Sequence, residues 1–523
     1  MGILSMFNNL PLLTILIWLP VVGAFLILCT GNDKKANWAK GIAVGITIIC
    51  LLLCIPLYLL FDPSRYDMQF IENHLWVSAY QTRYALGIDG ISLVMVVLTN
   101  FTGLLVIIAA CQSIKVRVSQ YMAAFLIMQG MIVGVFCAMD AILFYVFWEG
   151  MLIPMYLSIG MWGSANRSYA SIKFFLFTFL GSILMLVALI YLYNKTDSFM
   201  IQSFYGLPLS KTTQIWIFVA FLFAFAVKVP MWPVHTWLPD AHTEAPAGGS
   251  VVLAALMLKL GVYGFLRFSM PITPLACEKL ALVMVILSLV AIVYIGLIAI
   301  VQTDMKKLIA YSSIAHMGFA TLGCFMVYDI VSQMHSHQDA YMSLEGAVIQ
   351  MVAHAFGSGA MFLGVGLLAE RSMHHSRLIK DYGGVAHTMP VFAAFFMLFA
   401  MSNVGLPGTA GFVGEFMVIM SAFQTHFWVA AIASLTLLLS ASYTLWMYKR
   451  VFFGPVVHAD VAAFRDITWI EKINYILLAF GVFFVGLYPQ PIIDVLRVTI
   501  GHLLLQSMPP DLAFNVPMTS LYA

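Results

Sequence analysis

Charge is what this sequence has least of. Only 9% of its 523 residues are Asp, Glu, Lys or Arg, and 62% are hydrophobic. A soluble domain carries about 25% charged residues, so no soluble domain of any size is expected. The net charge of +2 provides no basic surface, which excludes nucleic acid as a partner. The seven cysteines are scattered and no CxxC occurs, so neither an iron–sulfur cluster nor a zinc site is indicated. A glycine-rich phosphate loop is also missing, and nucleotide binding with it. No cofactor or metal is expected in this chain.

What the chain has in quantity is apolar runs of about 20 residues, each long enough to cross a bilayer. About fourteen follow one another, from Leu10–Leu28 to Ile473–Leu487. The predicted class is an all-α polytopic membrane protein surrounded by lipid. No basic residue precedes the first run, so it reads as a retained helix and not a cleaved signal. An amphipathic piece, Ile492 to Leu505, is expected to lie on the membrane surface. Alternate loops hold sixteen of the 25 basic residues, among them Lys34, Lys35, Lys115, Arg117, Lys306 and Arg377. That side is expected to face the cytoplasm or matrix, with both termini outward.

Two spans are interrupted. In AFAVKVPMWPVHTWLPDAHTEAPAGGS, Lys228 is followed by Pro230, Pro233, Pro239 and Pro246. In SNVGLPGTAGFVGEF, Gly405, Pro407, Gly408 and Gly411 precede Glu415. Proline removes a backbone donor and breaks a helix, and broken backbone survives in lipid only where protein or a wet cavity surrounds it. The breaks lie about five spans apart, and an odd spacing inverts the second unit. Broken helices at matching places point to an inverted-repeat transporter. The expected division is 1–120 for spans one to three, 121–268 and 269–455 for two inverted five-helix repeats (spans four to eight and nine to thirteen), and 456–523 for the last span and tail. The breaks then fall in spans seven and twelve.

Ionisable residues inside the spans mark the candidate site. Glu149 lies roughly 12 Å into its helix and Lys259 roughly 14 Å into its own. Each costs about 2.5–3.5 kcal/mol at a bilayer centre. With Lys228 and Glu415 the total is roughly 12 kcal/mol, comparable to the stability of a whole domain. Their helical neighbours four residues away carry no charge, so pairing must come from other helices. His316 and His354 join them, because histidine titrates near physiological pH and can relay protons. The plainer alternative for the histidines is structural hydrogen bonding, and for the charges a locking of helices. His235 and His242 fit no metal spacing and read as loop and capping residues, and His374 and His375 as solvated.

FWEGMLIPMY, AFAVKVPMWPVHTWLPDAHTEAPAGGSVVLAALMLKLGVYGFLRF, DMKKLIAYSSIAHMGF and GLPGTAGFVGEF resemble the antiporter-like proton-pumping subunits of respiratory complex I, over about residues 85 to 455. Glu415 sets the chain apart from the L and N branches of that family, which usually carry lysine there. The resemblance implies that Glu149 and Lys228 form a coupling ion pair and that Lys259 is the central proton carrier. It further implies that His316 and His354 lie on the connecting path and that Glu415 ends it toward the outer side. The implied function is proton translocation in an NADH–quinone oxidoreductase of the bacterial inner membrane, beside L- and N-type subunits. Flavin, iron–sulfur clusters and quinone would sit in sister subunits. Two alternatives share these motifs: a subunit of a multisubunit cation/proton antiporter and the membrane subunit of a hydrogenase-linked complex.

Overall fold

The computed structural model describes residues 10–31, 33–334, 337–509 and 512. The expectation for the two termini falls on residues 1–9 and 513–523, outside the described residues. Among the described residues, thirteen helices are long and apolar enough to cross a membrane. They are α1 (Leu12–Cys29), α2 (Ala36–Leu60), α3 (Gly90–Ser113), α4 (Val118–Cys137), α5 (Ala141–Trp162), α6 (Arg167–Thr196) and α7 (Lys211–Lys228), then, after the short α8 (Trp237–Glu244), α9 (Ala247–Ile272), α10 (Pro274–Ile300), α11 (Met305–Met334) and α12 (His337–Arg371). After the shorter apolar helices α13 (Pro390–Val404) and α14 (Ala410–Thr425) come α15 (Phe427–Phe452) and α16 (Trp469–Leu487). Since α13 and α14 together make one interrupted span, the expected fourteen are present. The protein is a multi-pass helical membrane protein.

Local chemistry sets several helix starts. Asp89 caps α3 by accepting from Ser92 N, and Asp140 caps α5 by accepting from Ile142 N and Leu143 N. Thr468 and Glu471 form a reciprocal capping box at α16, which satisfies two otherwise unpaired donors. A two-stranded antiparallel hairpin, β1 (Gln69–Val77) with β2 (Thr82–Ile88), stands between α2 and α3. Sequence reasoning passed over it. Glu72 of β1 accepts from Leu13 N at 2.9 Å and Thr14 N at 3.2 Å, placing a carboxylate at the positive end of α1.

The connections gather at two ends. At one, Asp33 accepts from Arg117 N and Val118 N, Arg377 donates to Ser164 Oγ at 2.8 Å, and Arg371 pairs with Glu471 at 2.8 Å. This is the end rich in basic residues. The hairpin, Asp140 and the starts of α3 and α5 lie at the other.

Burial ranks the spans. The most hydrophobic stretch of α9 is wholly buried, and those of α11 and α12 are 94% buried, against 33% for α15 and 39% for α2. Helices α9, α11 and α12 therefore form the interior, and the outer helices supply the lipid-facing wall. Close packing needs small residues, since lipid offers no hydrophobic drive for helices to associate. Gly261 of α9 is one: a Cβ there would lie 2.7 Å from Phe225 O of α7.

One expectation is corrected. The apolar side of the tail piece, helix α17 (Gln490–Ser507), is docked on the protein and not turned to lipid. Its Val495, Leu496, Ile500 and Leu504 are buried, against α3 and α12. A strong apolar stripe suits either a bilayer or a protein groove, and here the groove takes it.

Candidate functional site

Three interior helices and the second broken span bring four of the six candidate residues into one row. Lys259 Nζ lies 2.7 Å from His354 Nδ1. The rings of His354 and His316 have centroids 6.0 Å apart. His316 Nδ1 lies 2.6 Å from Glu415 Oε1, and Gln350 Nε2 donates to the same oxygen at 3.1 Å. Every member is buried. The row thus runs from α9 through α12 and α11 to α14.

The backbone is adapted at both ends of the row. Residues Leu253–Met257 of α9 form a π-helical turn, a widening common at functional sites. The carbonyl of Ala254 in that turn accepts from Lys259 Nζ at 2.5 Å. At the other end, Gly405 ends α13 with φ +85°, and a Cβ there would lie 3.3 Å from Glu415 Oε2. Only glycine adopts this backbone freely, so the break and the placing of Glu415 have one cause.

Several polar atoms around the row are buried and have no hydrogen-bond partner among the described residues. They are His316 Nε2, His354 Nε2, Glu415 Oε2, Gln350 Oε1, Ser402 Oγ and Tyr443 OH. Each unsatisfied group costs about 1–3 kcal/mol.

Glu149 and Lys228 stand apart from the row. Lys228 ends α7, where a cation suits the negative end of the helix. Its Nζ lies 5.0 Å from the Trp148 ring centroid, a cation–π contact. Glu149 and Lys228 are electrostatic neighbours, yet Glu149 Oε1 and Lys228 Nζ are both buried without a hydrogen bond among the described residues. Their pairing is therefore indirect. Ser182 of α6 lies beside the Glu149 carboxylate. Past the break, Trp237 Nε1 of α8 donates to Val227 O at 2.9 Å, satisfying a carbonyl that the interrupted helix leaves free.

His242 corrects the sequence reading. It is fully buried and caps nothing. Its ring stacks on Phe362 with centroids 4.3 Å apart, and neither ring nitrogen has a hydrogen-bond partner among the described residues. Lys306 and Lys259 are its electrostatic neighbours. His242 thus sits between the Lys259 row and the basic end. Lys306, counted in the sequence as a loop charge, is also buried and donates to Ala245 O at 2.7 Å. Near it, Arg377 bridges Glu244 at 3.7 Å and Asp304 at 3.3 Å. The prolines around His242 make the segment read as a loop, and nothing in its residue pattern shows that it forms the buried helix α8. His375 is exposed, as expected. Among the described residues, no group of three or more His, Cys, Asp or Glu side chains is placed to hold a metal.

Two interrupted spans around a buried row of bases ending on an acid define an antiporter-like membrane protein. The chain belongs to the NADH:quinone oxidoreductase/Mrp antiporter transmembrane family, which matches residues 138–440 and so includes all six candidate residues. It is 44% identical over 511 residues to NADH-quinone oxidoreductase subunit M of Rhodobacter capsulatus, covering 94% of this chain and 96% of that protein. It is 39% identical over 489 residues to NADH-ubiquinone oxidoreductase chain 4 of Marchantia polymorpha, covering 93% and 96%. Among solved structures, a chain of respiratory complex I from Thermus thermophilus with bound NADH superposes with a TM-score of 0.82 at 27% identity, covering 94% of this chain and 99% of that one.

Proposed function

We propose that this chain is a proton-translocating membrane subunit of an NADH–quinone oxidoreductase, and that the Lys259–His354–His316–Glu415 row carries the proton. The observation that carries this reading is the row itself. Four titratable groups are linked at 2.7, 6.0 and 2.6 Å across the protein interior, where purely structural helix contacts need no ionisable group. Water is the natural partner for the unsatisfied atoms around the row, since it satisfies buried polar groups. It also bridges the one wide step, between the two histidines.

Glu149 and Lys228 serve as the switch. Opposite charges about 4 Å apart attract by about 4 kcal/mol at an effective dielectric of about 20, and less as they separate. Opening and closing such a pair is enough to redirect a proton. His242 joins the row to the basic end, which makes it the connection for uptake. The basic end faces the cytoplasm of a bacterial inner membrane, and both termini face the periplasm. The two five-helix repeats, residues 121–268 and 269–455, are related by inversion, with residues 1–120 and 456–523 flanking them. L- and N-type antiporter-like subunits are the membrane neighbours. Flavin, iron–sulfur clusters and quinone chemistry belong to sister subunits, and this chain holds no redox centre.

The test is proton yield per NADH oxidised by the assembled complex in inside-out vesicles. Glu149→Gln and Lys228→Ala are expected to assemble and to lose most pumping. Full pumping by either assembled variant refutes the assigned switch.

A further inference from the structure

A second cluster of charges lies outside the row, further along the same helix. Tyr263 and Arg267 follow Lys259 on α9 at intervals of four residues, each interval about 6 Å along the axis, toward the hairpin end. Arg267 NH2 donates to Asp89 Oδ2 at 2.7 Å and to Ser92 Oγ at 3.3 Å, and Arg267 Nε donates to Tyr263 OH at 3.2 Å. Tyr263 OH in turn donates to Phe136 O at 3.1 Å. The Arg267 and Asp89 side chains are 11% and 4% exposed. This cluster floors a cavity of about 100 Å³ lined by Asp67, Gln202, His502 and Gln506, large enough for water. Tyr66 and Asp67 on its rim are exposed. Helix α17 roofs it, and burial holds His502 there below the usual histidine range. Asp89 and Arg267 both act electrostatically on His502.

A polar cavity this close to the Lys259 helix is a hazard for a pump. Protons returning through it would short-circuit the gradient. A fixed guanidinium across the way opposes them, because an arginine in a narrow path is an electrostatic barrier to protons and stays charged at any physiological pH. Asp89 holds the guanidinium in place, and Tyr263 and Ser92 accept further bonds from its Nε and NH2. We propose that the Arg267–Asp89 pair is a seal that keeps protons in the hairpin-end cavity from reaching Lys259. The seal rests on the proton-carrying role assigned to Lys259 above. In Arg267→Gln, Asp89 loses its counter-charge. A hydronium ion then gives its proton to the Asp89 carboxylate and leaves water behind, and that proton has a route inward past Tyr263.

The test measures passive leak in proteoliposomes holding the assembled complex, without NADH, after an imposed pH step read by an entrapped dye. Arg267→Gln is expected to dissipate the step several-fold faster than the wild type. Arg267→Gln with Asp89→Asn is expected to be tight again, since the carboxylate that takes up the proton is gone. A purely structural bridge predicts the opposite order, with the double variant at least as leaky. Adding Lys259→Met to Arg267→Gln should close the leak. An Arg267→Gln complex as tight as wild type, a leaky double variant, or a leak that survives Lys259→Met overturns the seal. Pumping by Lys259→Met alone, measured separately, tests the row and leaves the two failures distinguishable. Should Arg267→Gln fail to assemble, Arg267→Lys keeps the charge without the fork and is expected to stay tight, and a leaky Arg267→Lys overturns the seal.

Discussion

Replacing Glu415 by Gln changes one charge and almost no volume. In the native protein Glu415 Oε1 lies 2.6 Å from His316 Nδ1, with the side chains 3% and 5% exposed, so solvent screens little. Two unit charges about 3 Å apart at an effective dielectric of about 20 attract by roughly 5 kcal/mol. Glu415→Gln removes that attraction and leaves a side chain that cannot take the proton from His316. The hydrogen bond from Gln350 survives, because the new amide oxygen accepts it as well. The expected phenotype is therefore an assembled complex in which the row cannot complete its last transfer. Proton yield per NADH, read from dye quenching in inside-out vesicles against NADH oxidation, should fall sharply. Glu415→Asp, which keeps the charge, should recover part of it. A Glu415→Gln complex with the wild-type proton yield refutes the reasoning.

Two further outcomes follow from the geometry. Gly405→Ala should lower the thermal inactivation temperature of the complex: a left-handed backbone costs a residue with Cβ about 1–2 kcal/mol, and the new Cβ presses on Glu415 Oε2 at 3.3 Å. His242→Gln should lower the proton yield while His375→Gln leaves it unchanged, because only His242 is buried near Lys259; equal yields in both, measured in the same vesicles, contradict the uptake role.

Much of the site was legible because lipid punishes charge. Glu149, Lys228, Lys259 and Glu415 stand out in a chain with so few ionisable residues, and prolines and glycines announce both breaks. The connections were not legible. Lys259 and His354 are 95 residues apart, and His316 and Glu415 are 99 apart, so their pairing depends on how four helices pack. The π turn beside Lys259 leaves no mark in residue type, since LAALM suits an ordinary helix equally well. The hairpin escaped notice because QFIENHLWV does not alternate cleanly between polar and apolar. Helix α17 was identified by its amphipathic pattern, but that pattern does not say whether lipid or α3 and α12 cover the apolar side. His242 shows the same limit in reverse: a polar residue read as part of a loop lies on the short helix α8, buried in the interior.

The central claim is that the four-residue row is a single wet path. An experimental map of the assembled complex, at a resolution that shows ordered water, tests it directly. The account predicts water within hydrogen-bonding distance of His354 Nε2, His316 Nε2 and Glu415 Oε2, bridging the two histidines. A dry, closely packed gap between the histidine rings, with Lys259 and Glu415 isolated on either side, would contradict it.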